Sequence, residues 1–99
     1  MALKDVRASG GCGVLVSEEA ILDAIPRLAA GTAVFAEPAA AIALAGLELA
    51  LGEGTVSREE RVVLLVTGTG LKDVPAASRR VRVPAPVEPT REAVEALFG

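Results

Sequence analysis

Ile21, Leu22, Ile25, Leu28 and Ala29 recur at the spacing of one helical face. Ser17 stands before them as an N-cap, and Glu18 and Glu19 fill the first turn, where the helix dipole favours anions. Val16 is placed to pack on Ile21 as a hydrophobic staple. Pro26 is expected to interrupt and bend this helix, and Gly31 to stop it. Upstream, Ala2 to Ala8 reads as two helical turns closed by Ser9-Gly10-Gly11, and Val14-Leu15-Val16 as a short strand.

Ala33 to Ala36 reads as a brief extended segment, followed by a second helix opened by Pro38 and running to about Leu51. Between Ala39 and Leu51 the only charge is Glu48, so this helix needs cover on most sides. Thr55 to Glu60 is a polar connection. Val62-Val63-Leu64-Leu65-Val66, bounded by Arg61 and Thr67-Gly68, has the pattern of a strand buried on both faces of a parallel sheet. The order strand, helix, short strand, helix, strand predicts an α/β fold, a small partial parallel-sheet layer with two main helices. Residues 1–78 form that unit; 79–99 form an arm carrying Arg79, Arg80, Arg82, Pro84, Pro86 and Pro89, with Thr90 capping a terminal helix through Leu97.

Composition narrows the chemistry. The 99 residues are 52% hydrophobic but only 2% aromatic, so Ala, Val and Leu must build the interior and allow close helix packing. With no His, Trp or Tyr, a Ser-His-Asp triad, a Cys-His dyad, a His-ligated metal and a Tyr or Trp stacking platform are excluded. The net charge of −3 argues against a nucleic-acid partner. Cys12 is the single cysteine and forms no intrachain disulfide; with no signal-peptide pattern and no apolar run long enough to span a bilayer, a soluble cytoplasmic protein without membrane contact is expected.

Three stretches carry candidate chemistry. Thr67-Gly68-Thr69-Gly70-Leu71-Lys72-Asp73 follows the expected buried strand, at the carboxyl end where α/β sheets bind ligands, and its glycines permit close backbone approach. It reads either as a ligand-contacting turn or as a tight turn with nothing bound. Glu37, in Phe35-Ala36-Glu37-Pro38, reads either as a contact to a ligand's polar group or as a helix cap. Ser9-Gly10-Gly11-Cys12-Gly13 reads as a turn or as an anion cradle, and Cys12 lacks a neighbouring cation or His that would activate it.

In this order, Ser9-Gly10-Gly11, Val16 to Leu22, Phe35 to Ala39 with Ala43 to Gly46, and Val66-Thr67-Gly68-Thr69-Gly70-Leu71-Lys72-Asp73 resemble the C-terminal part of threonine synthase, a fold-type II pyridoxal-phosphate enzyme. The resemblance covers residues 1 to about 78. It implies a cofactor site shared with an N-terminal portion: Thr67 faces the pyridine nitrogen, Gly68 adjoins it, and Glu37 lies on the substrate side. The family reaction converts O-phosphohomoserine and water to threonine and phosphate. The lysine that carries the cofactor and the phosphate-cradling loop belong to the family's N-terminal region, and Lys4 and Lys72 match neither. No catalytic residue and no metal ligand is therefore assigned. The chain is expected to be a C-terminal fragment, inactive and without bound pyridoxal phosphate when alone. Ala40, Thr69 and Pro26 depart from the family pattern. The alternative is a non-catalytic module that binds a partner or itself through the apolar helix, and a homo-oligomer is expected.

Overall fold

The computed structural model describes residues 1–99 and contains five α-helices and one 3-10 turn. Helix α1 spans Ala2–Ala8, α2 Glu18–Thr32, α3 Pro38–Gly52, α4 Val74–Ser78 and α5 Arg91–Phe98; the 3-10 turn is Gly70–Lys72. The expected parallel-sheet layer is absent. In its place stands a single antiparallel bridge between Ala36 and Thr69. A strand needs a neighbour to satisfy its backbone, and Val14–Val16 and Val62–Val66 make no backbone hydrogen bond to another segment.

Local signals at the helix starts hold. The Ser17 hydroxyl accepts from the Ala20 N–H at 3.2 Å, and Thr90 caps α5 by accepting from Ala93 N–H at 3.2 Å. Pro38 occupies the first turn of α3, where its missing N–H costs nothing. Pro26 does not interrupt α2, which runs unbroken past it. Burial of Leu22, Ala24, Ile25 and Leu28 against α3 offsets the lost backbone bond. Gly31 is not the stop either. The left-handed C-cap is Ala33, at φ 60°, a conformation that costs a non-glycine residue on the order of 1 kcal/mol.

Tertiary structure is concentrated where α2 packs on α3. The core consists of Leu22, Ile25 and Leu28 facing Ala40, Ala41 and Ala45, with Ala24, Ala36 and Ala77 completing it. The buried α3 side of this contact is alanine, which leaves room for close helix packing, and the large buried side chains come from α2, with Ile21 and Leu44 packed at the edge. Arg27 spans the same interface to Glu48 at 2.6 Å, an exposed pair worth at most about 1 kcal/mol.

Helix α4 is an element that the hydrophobic pattern did not indicate. Asp73 caps it by accepting from Ala76 N–H at 3.1 Å, and Ala77 carries it into the core. Arg79 and Arg80, expected on a free arm, pair with Glu18 and Asp23 of α2 at 2.8 Å each. Beyond them the chain leaves the core, as α1 does at the other end; neither α1 nor α5 has a buried residue. The radius of gyration is 17.5 Å, against about 13 Å for a compact chain of this length. No helix is long and apolar enough to cross a membrane.

A leucine at Ala41, which is fully buried, should overpack the interface and cost about 1–3 kcal/mol. At roughly 4–8 °C per kcal/mol, thermal unfolding followed by circular dichroism should register Ala41→Leu clearly. Ala39→Leu, at an exposed position of the same helix, should leave the melting temperature within about 2 °C.

Candidate functional site

The N-terminus of α3 and the turn after Val66 are brought together by backbone hydrogen bonds. The Glu37 N–H donates to the Gly68 carbonyl at 3.1 Å, and the Gly70 N–H donates to the Phe35 carbonyl at 2.9 Å. Ala36, fully buried between them, forms the bridge with Thr69. The two motifs singled out in the sequence therefore form one local structure, anchored on the core through Ala36 and Ala40.

Both glycines of the turn are required by close approach. A Cβ at Gly68 would fall on the Glu37 carboxylate, and a Cβ at Gly70 on the Phe35 ring. The two cases differ in cost. The Glu37 carboxylate ends a flexible side chain that can swing aside, whereas the Phe35 ring is a rigid plate that must turn as a whole toward solvent to make room.

Glu37 sits at the N-cap position of α3, but its side chain makes no capping bond. Its Oε1 accepts instead from Lys72 Nζ at 3.2 Å, with the Glu37 side chain 19% exposed and that of Lys72 60% exposed. The plain capping role is thus not the one its carboxylate performs. Lys72 was not among the expected site residues. Its place directly after Gly70-Leu71, across from Glu37, is legible only once the bridge is known.

Thr67 is exposed and lines an open groove of about 260 Å³ with Val34, Phe35, Val66, Gly68 and Thr69. The groove has an apolar wall and, at Thr67, a hydroxyl able to donate or accept. Thr69 is differently engaged: its Oγ1 accepts from the Leu71 N–H at 3.4 Å and caps the 3-10 turn. The glycine stretch near the N-terminus does not form an anion cradle. Gly10 and Gly11 donate to the Arg7 and Val6 carbonyls at 3.3 and 2.8 Å, closing α1, and Cys12 is exposed. No group of three or more His, Cys, Asp or Glu side chains is placed to hold a metal.

A family model described as "Pyridoxal-phosphate dependent enzyme" matches residues 1–68, a span that contains Glu37, Thr67 and Gly68. The chain belongs to this pyridoxal-phosphate-dependent family. It is similar to the threonine synthase of Methanocaldococcus jannaschii, 42% identical over 87 residues, covering 88% of this chain and 22% of that protein. The threonine synthase of Methanosarcina acetivorans is 37% identical over 99 residues, 99% of this chain and 24% of that protein. That of Mycobacterium bovis is 40% identical over 90 residues, 89% of this chain and 25% of that protein. The chain thus spans about a quarter of the length of the curated relatives it matches.

The groove sets one neutral hydroxyl, that of Thr67, beside an apolar wall of Val34, Phe35 and Val66, a lining compatible with the edge of a flat heterocycle. The other requirements are not gathered here. Lys72 is held by Glu37, Lys4 lies on α1 with no buried neighbour on its helix, and the Gly10–Gly11 amides are already bonded.

Gly70→Ala should force the Phe35 ring aside and destabilise by about 1–3 kcal/mol. Gly13→Ala, where a Cβ meets nothing within 4 Å, should change stability by less than about 0.5 kcal/mol. Chemical denaturation of the two variants side by side measures the difference.

Proposed function

We propose that this chain forms one wall of a threonine synthase-like cofactor site, corresponding to the C-terminal part of such an enzyme. Thr67 meets the pyridine nitrogen of pyridoxal phosphate, Gly68 lets the backbone come close to the ring, and Glu37 stands on the substrate side. The observation that carries this reading is the juxtaposition of Glu37 with Thr67-Gly68 through the Glu37 N–H to Gly68 carbonyl bond, at the mouth of an open groove. The reaction served is that of O-phosphohomoserine and water giving threonine and phosphate, a lyase-type chemistry, carried out in the cytoplasm. When bound, pyridoxal phosphate supplies the electron sink that lets bonds next to the substrate's amino group break.

Each residue has a separate task in this reading. A threonine hydroxyl at the ring nitrogen, unlike a carboxylate, does not compel that nitrogen to stay protonated, so Thr67 sets how strongly the ring withdraws electrons. The Lys72 ammonium draws the Glu37 carboxylate toward Gly68 and biases its orientation without fixing it. Phe35 and Val34 supply apolar surface on that side of the groove. The cofactor-carrying lysine and the phosphate cradle come from the N-terminal portion of the enzyme, and the chain alone is inactive and takes up no stoichiometric cofactor.

The test is complementation. A threonine synthase lacking the corresponding segment, mixed with this chain, should recover phosphate release from O-phosphohomoserine. Thr67→Val should lower the recovered turnover by roughly five- to thirtyfold, the loss of about 1–2 kcal/mol of hydrogen bonding, with unchanged melting of the chain. Thr69→Val should lower the melting temperature through the lost cap and affect turnover less. Equal kinetic losses at both positions with unchanged melting would remove Thr67 from its assigned place.

A further inference from the structure

Ala33 is the one non-glycine residue of the chain with a positive φ, 60°, and it stands at the corner where α2 ends and the chain turns toward the groove. In the left-handed region a Cβ crowds the backbone, so alanine occupies it only where its surroundings hold it there. Two side-chain hydrogen bonds straddle this corner, and both belong to the Thr32 hydroxyl. Its Oγ1 donates to the Leu28 carbonyl at 2.7 Å, behind the corner, and accepts from the Val34 N–H at 3.2 Å, ahead of it. A threonine that bonds back to the carbonyl four residues earlier is ordinary near a helix end; the forward bond to Val34 is not part of that habit. Leu28 is buried against α3, so the first bond ties the corner to the core, and the second sets the direction in which the chain leaves it. Val34 and Phe35 come next, and they are two of the three apolar residues lining the groove beside Thr67. The bonds that join this wall to the turn after Val66 begin at the Phe35 carbonyl, which accepts from Gly70, and continue at the Glu37 N–H.

We propose that Thr32 is a positioning residue of the groove: its hydroxyl holds Ala33 left-handed and so sets Val34 and Phe35 against Thr67-Gly68-Thr69. The service of this wall to a reaction rests on the cofactor reading above, whereas its shape does not. Both Thr32 bonds run between residues 28 and 34, so the corner is complete within this chain. Thr32 does not itself line the groove; it acts through the backbone of Ala33 and Val34. Valine at position 32 keeps the branched shape but offers neither bond, and serine keeps both. Glycine at position 33 reaches the left-handed conformation without the Cβ penalty, so it removes the need for the hydroxyl. The two positions are therefore coupled, and the coupling is specific to this role.

Residue-resolved amide exchange of the full chain tests it. In Thr32→Val the Glu37 and Gly70 amides, whose bonds close the wall against the turn, should exchange roughly tenfold faster, the equivalent of one ordinary hydrogen bond, while the central amides of α2 and α3 keep their rates. Thr32→Ser should stay within about twofold of the wild type. Thr32→Val/Ala33→Gly should recover most of the lost protection, a rescue that simple loss of a helix-end bond would not give. Unchanged Glu37 and Gly70 rates in Thr32→Val, or no recovery in the double variant, would overturn the proposal. In the complementation assay Thr32→Val should lower recovered turnover and the double variant should return it; lost protection with full turnover would overturn the positioning role. Failure of the wild-type chain to complement would count against the cofactor reading alone, since the exchange rates decide the corner without it.

Discussion

The close contact of α2 with an alanine-lined face of α3 is the interaction on which everything else in this chain rests. Leu22, Ile25 and Leu28 are the only large buried side chains, Ile25 fully so, and all three come from α2. On α3 the matching positions are Ala40, Ala41 and Ala45, so the fit depends on the absence of side-chain bulk there. The elements that reach the core do so through this pair. Helix α4 joins through Ala77 and two surface ion pairs, and the turn after Val66 joins through Ala36.

The candidate site inherits its geometry from that contact. Glu37 is where it is because Pro38 opens α3 and Ala40 pins the first turn into the core. Gly68 and Gly70 can reach the same place only because neither carries a side chain. The site is therefore built at the joint between a core helix and a largely exposed segment, packed on one side and open on the other. That asymmetry suits a chain similar to about a quarter of each threonine synthase it matches.

Helices were legible wherever their signals were local. Ser17, Pro38 and Thr90 announce their helices by side-chain capping or by a fixed dihedral angle, and α1, α3 and α5 lie within a residue or so of the limits read from the pattern. Strands were not, because Val62–Val66 records a propensity for pairing that only a neighbouring strand can fulfil. The end of α2 was misplaced because the Thr32 hydroxyl, bonded to the Leu28 carbonyl at 2.7 Å, carries the helix beyond Gly31. Helix α4 was hidden by its brevity, although Asp73 followed by Pro75 is a helix-start signal in its own right. At the site, the sequence brought out Glu37, Thr67 and Gly68 but not the Lys72 partner, since that pair spans 35 positions and depends on the bridge.

Amide hydrogen exchange resolved by residue tests most directly whether the α2–α3 contact carries the fold. If it does, amides in the central turns of α2 and α3 are the last to exchange and do so together, while those of α1 and α5 exchange orders of magnitude sooner. Protection in α1 or α5 equal to that in α3, or exchange of α2 well ahead of α3, would contradict it.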